Sequence, residues 1–569
     1  MDPCRIRSKS GRGDRTVLLR ISRIKMLTDA RTLNSGSSHQ ADVCIIGGGA
    51  AGITMAMELL NSDLRVLLLE SGGTESDAAT QALAQGESIG APVTSLDNPV
   101  SLDQTRLRYL GGTTNHWAGF CRPLSPIDFE TRDHLLVSGW PLDYADMVPY
   151  WDRATEWVRI SDGDFSVDTW ERRLGVSAPP IDTFAVEPLA FQITFPTKFG
   201  DVYGADLRAA ANIEVLLHAN AVNLAGDDGQ TVTHVDVATL SGVSFSVAAR
   251  AYVLAAGGIE NARLLLASTD NDPAGLGNSN DLVGRYFSEH LQIYAGFGVL
   301  EPDFNDVSGL RGGEVAITQG RHAGHVHGAK FALGLTDAHL RSTATTGVEL
   351  QFLPGRLPDG VPLQEQGIAV GEISALMAHT GPEPGTAVYL QALAEQELNP
   401  QSRVMLGTST DALGMRQVQL DWQYTTADRR RVIAGLRVMA EAIGAADWGR
   451  VQLVLGGVHA DAHDHMVSGE FLSIFRSVPD EIDLSGFPVG VGFHHMCTTR
   501  MADSAAEGVV DPDCRMHEVD NLWVAGSSVF ATGGTATPTM SIVALSIRLA
   551  DHLQDLRRDF ADGAISGCP

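Results

Sequence analysis

Three glycines near the start of the chain have the spacing of a turn that binds a dinucleotide. Gly47, Gly49 and Gly52 form a Gly-x-Gly-x-x-Gly pattern. The first glycine of this pattern permits a tight turn, the second lets the backbone approach a pyrophosphate, and the third lets the following helix pack on a strand. Glu70 stands further along, where the ribose of the dinucleotide needs a hydrogen-bond acceptor. The pattern predicts a dinucleotide cofactor and does not distinguish NAD from FAD.

The elements around these residues have the order that such a site requires. Residues 42–46 form a short apolar run that predicts a buried parallel strand, and a helical pattern with Ile53 and Met57 on its apolar face follows the glycines. A second buried strand is predicted over Leu64–Leu69 and ends at Glu70. The N–H groups at the start of the helix would then face the phosphates. Strand, turn, helix and strand together predict the first part of a Rossmann-type unit.

The bulk composition excludes several classes of protein. The chain has 569 residues, more than the roughly 100–200 usual for one domain, so we expect at least two structural units. Hydrophobic residues make up 44% and charged residues 19%, which is typical of globular proteins. No run approaches the roughly 20 apolar residues of a membrane helix, and a formal net charge of -28 repels nucleic-acid phosphates. We therefore expect neither a nucleic-acid partner nor a membrane span.

The cysteines and the N-terminal segment bear on location. The six cysteines include no C-x-x-C pair and no metal-ligand spacing, and they are too few for a disulfide framework. We therefore expect a reducing, cytoplasmic compartment and no metal site. Residues 1–25 are basic and lack the apolar region of a secretory signal. We expect a flexible tail or an over-long start, with Met26 as the alternative first residue, in preference to a transit peptide.

Three further segments, met in order along the chain, resemble motifs of one flavoprotein family. They are Gly111–Trp117 (GGTTNHW) with 121–123 (CRP), Ala255–Leu265 (AAGGIENARLL), and a closing block made of 494–501 (HHMCTTRM), 521–528 (NLWVAGSS) and 538–539 (PT). These are similar to the flavin-contacting motifs of the glucose-methanol-choline (GMC) oxidoreductases. The pair His116-Trp117 resembles in particular the branch that contains pyranose oxidases and fructose dehydrogenase.

The resemblance implies an α/β fold with two kinds of domain. One is a Rossmann-like FAD-binding domain, expected at 40–160, 205–295 and 487–555. The other is an α+β substrate domain built on an antiparallel sheet, expected at 161–204 as a lid segment and at 296–486, with tails at 1–39 and 556–569. Strand-like patterns at Val315–Thr318, Val404–Leu406 and Gln417–Trp422 fit the substrate domain.

The family motifs also imply which residues contact FAD. Beyond Gly47, Gly49, Gly52 and Glu70, these are Gly112, Thr114, Asn115, His116, Val222, Ala256, Gly526, Ser528 and Thr539. His116 stands where some family members bond a histidine covalently to the flavin methyl group. Both covalent and non-covalent binding of FAD stay open at this point.

Oxidation of an alcohol needs a base, because the hydroxyl proton must leave together with the hydride. In the family, the base precedes the Gly-Thr step of the closing motif by three positions, which implies His494, with Cys497 in the place of the glycine. His495 is the runner-up, and its side chain faces away if the segment is extended. Thr537 occupies the place where the family has a second His or Asn, and a threonine hydroxyl cannot act as a base.

The sequence therefore predicts an FAD-dependent oxidoreductase of the GMC type, acting on CH–OH groups. It would oxidise an alcohol or sugar hydroxyl to a carbonyl by proton abstraction at His494 and hydride transfer to flavin N5. Oxygen, a quinone or an electron-transfer protein all stay open as the electron acceptor. The alternatives are a flavoprotein lyase of the same fold, similar to hydroxynitrile lyases, and a flavin-binding protein without turnover.

Overall fold

The computed structural model describes residues 27–95, 98–194, 197–300, 313–317, 322–354, 386–453 and 489–561. The basic segment 1–25 and the alternative start Met26 lie outside the described residues, and so does Thr318 of the expected strand Val315–Thr318.

A six-stranded sheet carries the glycine turn. Its strands are, in spatial order, Leu27–Asp29, Ile213–Leu217, Val66–Leu69, Val43–Ile46, Ala251–Leu254 and Leu522–Val524, and every neighbouring pair is parallel. All four residues of Val43–Ile46 are buried, as are all four of Val66–Leu69. Parallel strands read as continuous apolar runs because helices cover both faces of such a sheet. This sheet matches the predicted Rossmann-type unit.

Helices pack around the sheets and close the core. They are Ala50–Glu58, Ala78–Gln81, Tyr144–Val158, Val167–Leu174, Phe199–Ala209, Gly257–Ala267, Asp337–Ser342, Thr426–Ala445 and Thr539–Ala561. The helix Thr539–Ala561, near the end of the chain, packs on both Ala50–Glu58 and Tyr144–Val158. None of the helices in the described ranges has an apolar stretch long enough to cross a bilayer.

A nine-stranded antiparallel sheet forms the second layer. Its main path runs Gly449–Leu453, Leu291–Leu300, Thr386–Ala394, Val348–Pro354, Val326–Leu335, Val186–Ile193 and Phe120–Cys121, with Gly313–Ala316 paired to the fifth of these strands and Gly490–Val491 to the second. Buried side chains of both large sheets, from Val43 to Leu390, belong to one continuous hydrophobic core. The two large sheets therefore share one hydrophobic core.

Three smaller sheets complete the molecule. One contains Asn220–Ala225, His234–Ala238, Ser244–Ala248 and Ser38–Gln40; another contains Arg403–Thr410, Arg416–Asp421 and Gly86–Ser88; and the last pairs Thr94–Ser95 with Asn98–Pro99. The expected strands Val404–Leu406 and Gln417–Trp422 fall on Arg403–Thr410 and Arg416–Asp421, which lie outside the large antiparallel sheet.

The predicted fold class is confirmed, since a parallel Rossmann-like sheet and an antiparallel sheet are both present. Four of the expected boundaries fall inside ordered elements, and the one at 204 and 205 cuts the helix Phe199–Ala209. Leu27–Asp29 and Ser38–Gln40 pair with neighbouring strands although residues 1–39 were expected to be a tail. The boundary at 295 and 296 cuts Leu291–Leu300, and the last helix continues past 555 to Ala561. The strands Leu27–Asp29 and Ser38–Gln40 have only three residues each, which is too short to show a periodic pattern in the sequence. Tertiary contacts therefore decide their pairing.

Candidate active site

A cavity of about 480 Å³ is lined by residues of both large sheets. Ile46 and Leu69, at the carboxyl ends of two parallel strands, form part of one wall, and Gln391 and Leu393 of the antiparallel sheet form part of another. The size lies within the roughly 300–1,000 Å³ typical of small-molecule sites. Ligands of open parallel sheets bind at the carboxyl ends of the strands, which is where this cavity begins.

The glycine turn fits a dinucleotide because its three glycines are required for three different reasons. Gly47 has φ +113°, and a Cβ there would lie 2.5 Å from the carbonyl oxygen of Ala255. A Cβ on Gly52 would lie 1.9 Å from the carbonyl oxygen of Gly47, so the helix can approach the turn only with a glycine at this place. Gly49 caps the helix Ala50–Glu58 and meets no atom within 4 Å. The helix N-terminus thus opens into the cavity as a pyrophosphate site.

Glu70 is buried at the cavity wall and already holds the turn together. Its carboxylate accepts hydrogen bonds from the N–H of Gly48 at 2.9 Å, the N–H of Gly72 at 2.7 Å and the hydroxyl of Ser71 at 3.1 Å. A carboxylate has about four lone-pair sites, so capacity for a ribose hydroxyl is left. Glu70 therefore both rigidifies the loop and offers the expected acceptor.

The second motif supplies the opposite side of the cavity. A Cβ on Gly112 would lie 3.0 Å from the Cα of Gly49, so this loop touches the glycine turn. Thr114 donates its hydroxyl to the carbonyl of Gly111 at 2.6 Å and lines the cavity, as does His116. Desolvation lowers the pKa of His116. Asn115 does not line the cavity; its amide donates to the carbonyl of Leu110 at 3.1 Å and supports the loop instead.

Three more of the expected cofactor contacts lie on the cavity wall. Ala256 lines it just before the helix Gly257–Ala267, and Gly526 lines it with φ +101° and no atom within 4 Å of a Cβ placed there. Thr539 lines it at the first residue of the helix Thr539–Ala561. Two further helix N-termini therefore meet the same cavity as Gly49.

Two expected cofactor contacts lie away from the wall. Ser528 is fully buried, and its hydroxyl accepts a hydrogen bond from the amide of Asn261 at 2.9 Å; the neighbouring Ser527 lines the cavity in its place. Val222 is also absent from the lining, whereas Asn220 and Ala221 are part of it. The strand has a bulge between Ala221 and Asn223, which shifts the side chains relative to a regular strand.

His494 and His495 both reach the cavity wall, with different neighbours. The Nδ1 of His494 lies 2.8 Å from the Nδ1 of His290, and burial lowers the pKa of His494 well below its ordinary value. The Nε2 of His495 lies 3.7 Å from a carboxyl oxygen of Glu289, and burial lowers the pKa of His495 to about 3. The segment is no regular strand, since Phe493 has φ +58°, so the strict alternation of faces expected for an extended segment does not apply.

Thr537 lines the cavity, but its hydroxyl is already engaged. The Oγ1 of Thr537 donates to the carbonyl oxygen of Phe120 at 2.6 Å. In this arrangement the hydroxyl can accept a further hydrogen bond and cannot donate one. Thr537 therefore does not replace a second His or Asn as a donor to the substrate oxygen.

Several polar residues near the cavity were not predicted from the sequence. His290 and Glu289 are buried behind the two histidines, directly before the strand Leu291–Leu300. The signal that could have found them is the pair of titratable residues that precedes an apolar strand, but their contact to residues about 200 positions away is not visible in a single sequence.

A buried ion cluster is the second feature missed. Burial disfavours ionisation of Glu260, yet Arg108, Arg106 and Arg263 outweigh it and hold the pKa of this carboxyl well below its usual range. Arg106 and Arg108 each contact Glu260 at 2.7 Å, and all three of these residues line the cavity. The cluster gives this part of the wall fixed positive charge.

Three glutamines of the antiparallel sheet line the cavity: Gln292, Gln351 and Gln391. Gln351 and Gln391 are directly opposite each other on adjacent strands. Lys330 donates to the amide oxygen of Gln351 at 2.6 Å, and the amide nitrogen of Gln351 donates to Glu349 at 2.7 Å. The side-chain amides of Gln292 and Gln391 have no hydrogen-bond partner among the described residues, so they are available to a ligand.

Two protein-family models match separate parts of the chain. A model described as FAD dependent oxidoreductase matches residues 42–274, and one described as GMC oxidoreductase matches residues 399–546. The 2-methyl-1,2-propanediol dehydrogenase of Mycolicibacterium austroafricanum is 22% identical over 92% of this chain and 97% of its own length. The fructose dehydrogenase large subunit of Gluconobacter japonicus is 24% identical over 92% and 100%, and the C-glycoside 3-oxidase of Microbacterium trichothecenolyticum is 26% identical over 91% and 97%.

Solved structures share the fold over almost the whole chain. Pyridoxine 4-oxidase from Mesorbium loti superposes with a TM-score of 0.55 at 19% identity, covering 90% of this chain and 99% of its own. A formate oxidase variant from Aspergillus oryzae gives a TM-score of 0.52 at 15% identity, covering 93% and 100%. The predictions of FAD as cofactor and of an oxidoreductase acting on the CH–OH groups of alcohols or sugars are confirmed. The chain thus combines an FAD-dependent oxidoreductase domain over residues 42–274 with a GMC oxidoreductase domain over residues 399–546, in agreement with the predicted resemblance.

Proposed function

We propose that this enzyme oxidises one hydroxyl of a sugar-like substrate to a carbonyl, with His494 as the base that takes the hydroxyl proton. The observation that carries the proposal is the neutral imidazole of His494 in the wall of a cavity that also contains the glycine turn. A base must be unprotonated before it acts, and burial keeps His494 in that form at neutral pH.

The cofactor site is assigned to residues whose geometry suits a dinucleotide. Gly47, Gly49 and Gly52 form the pyrophosphate turn, Glu70 accepts from the ribose, and Thr539 begins a helix whose N-terminus faces the cavity. Gly112, Thr114, His116, Ala256 and Gly526 line the same cavity. Bound FAD supplies the acceptor for the hydride. The protein residues hold FAD in place, exclude water and remove the proton.

The substrate class is inferred from the glutamine amides. Gln292 and Gln391 present free amide groups, each of which can donate and accept, and Gln351 adds one N–H that its partners leave unused. A polyol or sugar ring offers several hydroxyls that match such groups, whereas a simple aliphatic alcohol offers one. A site built to hydrogen-bond several hydroxyls discriminates against analogues that lack them, because its polar groups would be left unpaired.

Further aspects of the function are proposed on the same basis. The electron acceptor is oxygen, a quinone or an electron-transfer protein, and the domain division into FAD-binding and substrate parts follows the two large sheets. The free cysteines Cys44, Cys121, Cys497 and Cys514 are buried, which agrees with the proposed cytoplasmic, reducing environment.

Anaerobic mixing of the FAD-loaded enzyme with a panel of sugars, glycosides, polyols and aliphatic alcohols tests the proposal. We expect bleaching of the visible flavin band by a sugar-like compound, and a rate at least ~10²-fold lower for His494→Asn. In Gln391→Leu, the dissociation constant for the sugar should rise more than that for a simple alcohol. Substrate conversion without bleaching would support the lyase alternative, and binding without either would support a protein without turnover.

A further inference from the structure

His290 lies behind the proposed base and outside the cavity wall. Its side chain is fully buried, and it immediately precedes the strand Leu291–Leu300. One ring nitrogen, Nδ1, lies 2.8 Å from the Nδ1 of His494, and the other, Nε2, lies 3.3 Å from the carbonyl oxygen of Gly533. The two imidazole rings meet edge to face at 84°, with centroids 4.9 Å apart. His290 therefore connects the base to a fixed backbone group on its other side.

The proton positions follow from what each partner can do. The carbonyl of Gly533 can only accept, so the Nε2 of His290 must carry a proton to form that contact. Burial lowers the pKa of His290 to about 4, so at neutral pH the ring has one proton, and Nδ1 is left as an acceptor. The proton shared between the two Nδ1 atoms then belongs to His494. Because His494 is also neutral, its Nε2 has no proton.

The reverse assignment is disfavoured by the same contacts. If the Nδ1 of His290 donated to His494, the unprotonated Nε2 of His290 would face the oxygen of Gly533, with lone pair against lone pair. The proton of His494 would then move to Nε2, and the ring would lose its basic atom on the side away from His290. The hydrogen bond made by one ring nitrogen of a histidine generally decides which of the two nitrogens carries the proton.

We propose that His290 is a positioning residue that holds His494 in the tautomer with an unprotonated Nε2, which is the atom that accepts the hydroxyl proton of the substrate. The inference rests on the proposed function of His494 as the base. In the reaction, the O–H bond of the substrate breaks and an N–H bond forms at Nε2, while the C–H electron pair leaves as hydride to FAD. The Nδ1–H of His494 goes on donating its hydrogen bond to the Nδ1 of His290, which stabilises the imidazolium that has formed.

Other titratable groups around the pair do not compete for this role. Glu395, which forms a buried ion pair with Arg132, interacts electrostatically with His290, and Asp128 lies against the loop at Gly534. Glu289 and His495 flank the pair along the chain, and their closest approach to one another is 3.7 Å. Among the described residues, none of these groups hydrogen-bonds a ring nitrogen of His290 or His494.

The experiment combines a spectrum with a rate. In the FAD-loaded protein labelled with 15N-histidine, the signals of His494 are assigned by their loss in His494→Asn. We expect the wild-type spectrum to show a protonated Nδ1 and an unprotonated Nε2 on His494. In His290→Phe the 15N signals of the two ring nitrogens of His494 should average, because both tautomers become populated. Anaerobic flavin reduction at saturating substrate should slow at least ~10-fold with FAD content unchanged, because a histidine base in the wrong tautomer cannot accept the proton.

Two further variants make the result specific. His290→Asn places an amide oxygen near the position of Nδ1 and can accept from His494, so it should restore most of the rate. His327→Phe replaces another fully buried histidine that does not line the cavity and should leave the rate unchanged. A protonated Nε2 in wild-type His494 overturns the inference even if His290→Phe does not fold. An unchanged rate in His290→Phe, when His494→Asn is slow, overturns the inference alone; an unchanged rate in His494→Asn overturns the proposed function.

Discussion

Glu289 is a buried carboxyl group at the back of the active site, near the backbone N–H groups of Gly492 and His494. Its side chain is about 2% exposed, and in the described part of the chain neither of its oxygens has a hydrogen-bond partner. The nearest charged candidate is His495, but burial lowers the pKa of this histidine to about 3, so it is neutral above that pH. Burial raises the pKa of Glu289 from 4.5 to about 8. The carboxyl group therefore stays protonated at neutral pH in the folded protein.

The sign and size of the stability effect follow from this pKa difference. Between pH 4.5 and about 8 the unfolded chain loses the proton of Glu289 and the folded chain keeps it, so stability is full below pH 4.5 and falls as the pH rises. Each pH unit in this interval costs about 1.4 kcal/mol, which gives on the order of 4 kcal/mol between pH 5 and pH 8. Glu289→Gln has nearly the same shape and no ionisable proton, so it should escape this loss.

Urea unfolding of the FAD-saturated protein at pH 5, 6, 7 and 8 measures the effect. We expect the free energy of unfolding of Glu289→Gln, relative to wild type, to become more favourable by up to ~4 kcal/mol from pH 5 to pH 8. Other titrating groups are common to both proteins and cancel in the difference. Glu441→Gln, on the exposed side of the helix Thr426–Ala445, is the matched control. A difference between Glu289→Gln and wild type that does not change with pH would refute the reasoning.

Further predictions concern the cofactor and the base. Gly52→Ala should lose FAD on desalting, because its Cβ would lie 1.9 Å from a backbone oxygen, whereas Gly204→Ala, with no atom within 4 Å, should retain FAD. Glu70→Ala should weaken FAD binding by roughly 1.5–3 kcal/mol in a fluorescence titration, and an unchanged affinity would remove Glu70 from the site. If FAD is covalent through His116, acid precipitation should carry the flavin down with wild type and release it from His116→Ala; free flavin from wild type decides for non-covalent binding. Since the pKa of His494 lies well below 6.5, the rate of flavin reduction should be level from pH 8 to pH 6.5, and an inflection in that interval would count against His494 as the base.

The glycine turn and its flanking strands could be predicted from the sequence because their determinants are local. Gly52 and Glu70 are explained by contacts inside this strand-turn-helix-strand unit, with the carbonyl of Gly47 and the N–H of Gly48, whereas the close contact at Gly47 is with Ala255. The family motifs placed most of the remaining cavity residues. The motifs also predicted cofactor contacts for Asn115 and Ser528, but these two residues lie behind the cavity wall and support the loops.

The rest of the site depends on contacts between distant parts of the chain. His290 and His494 are in contact although they lie about 200 residues apart in the sequence. No periodic pattern in the sequence predicts this contact. The family resemblance implied a cofactor contact at Val222, whereas Asn220 and Ala221 line the cavity, next to a bulge between Ala221 and Asn223. Burial decided the protonation of Glu289, and burial of a polar side chain is the property that a sequence pattern predicts least well.

The strand order of the parallel sheet has a consequence for how the protein is made. The strand Leu522–Val524 completes one edge, and the helix Thr539–Ala561 packs on Ala50–Glu58, which carries the glycine turn at its start. A ribosome therefore releases the first part of the cofactor site nearly five hundred residues before its last part. Contacts of such high sequence separation fold slowly and leave early segments exposed to aggregation. The complete lining of the cofactor cavity can therefore form only after Thr539 has been translated.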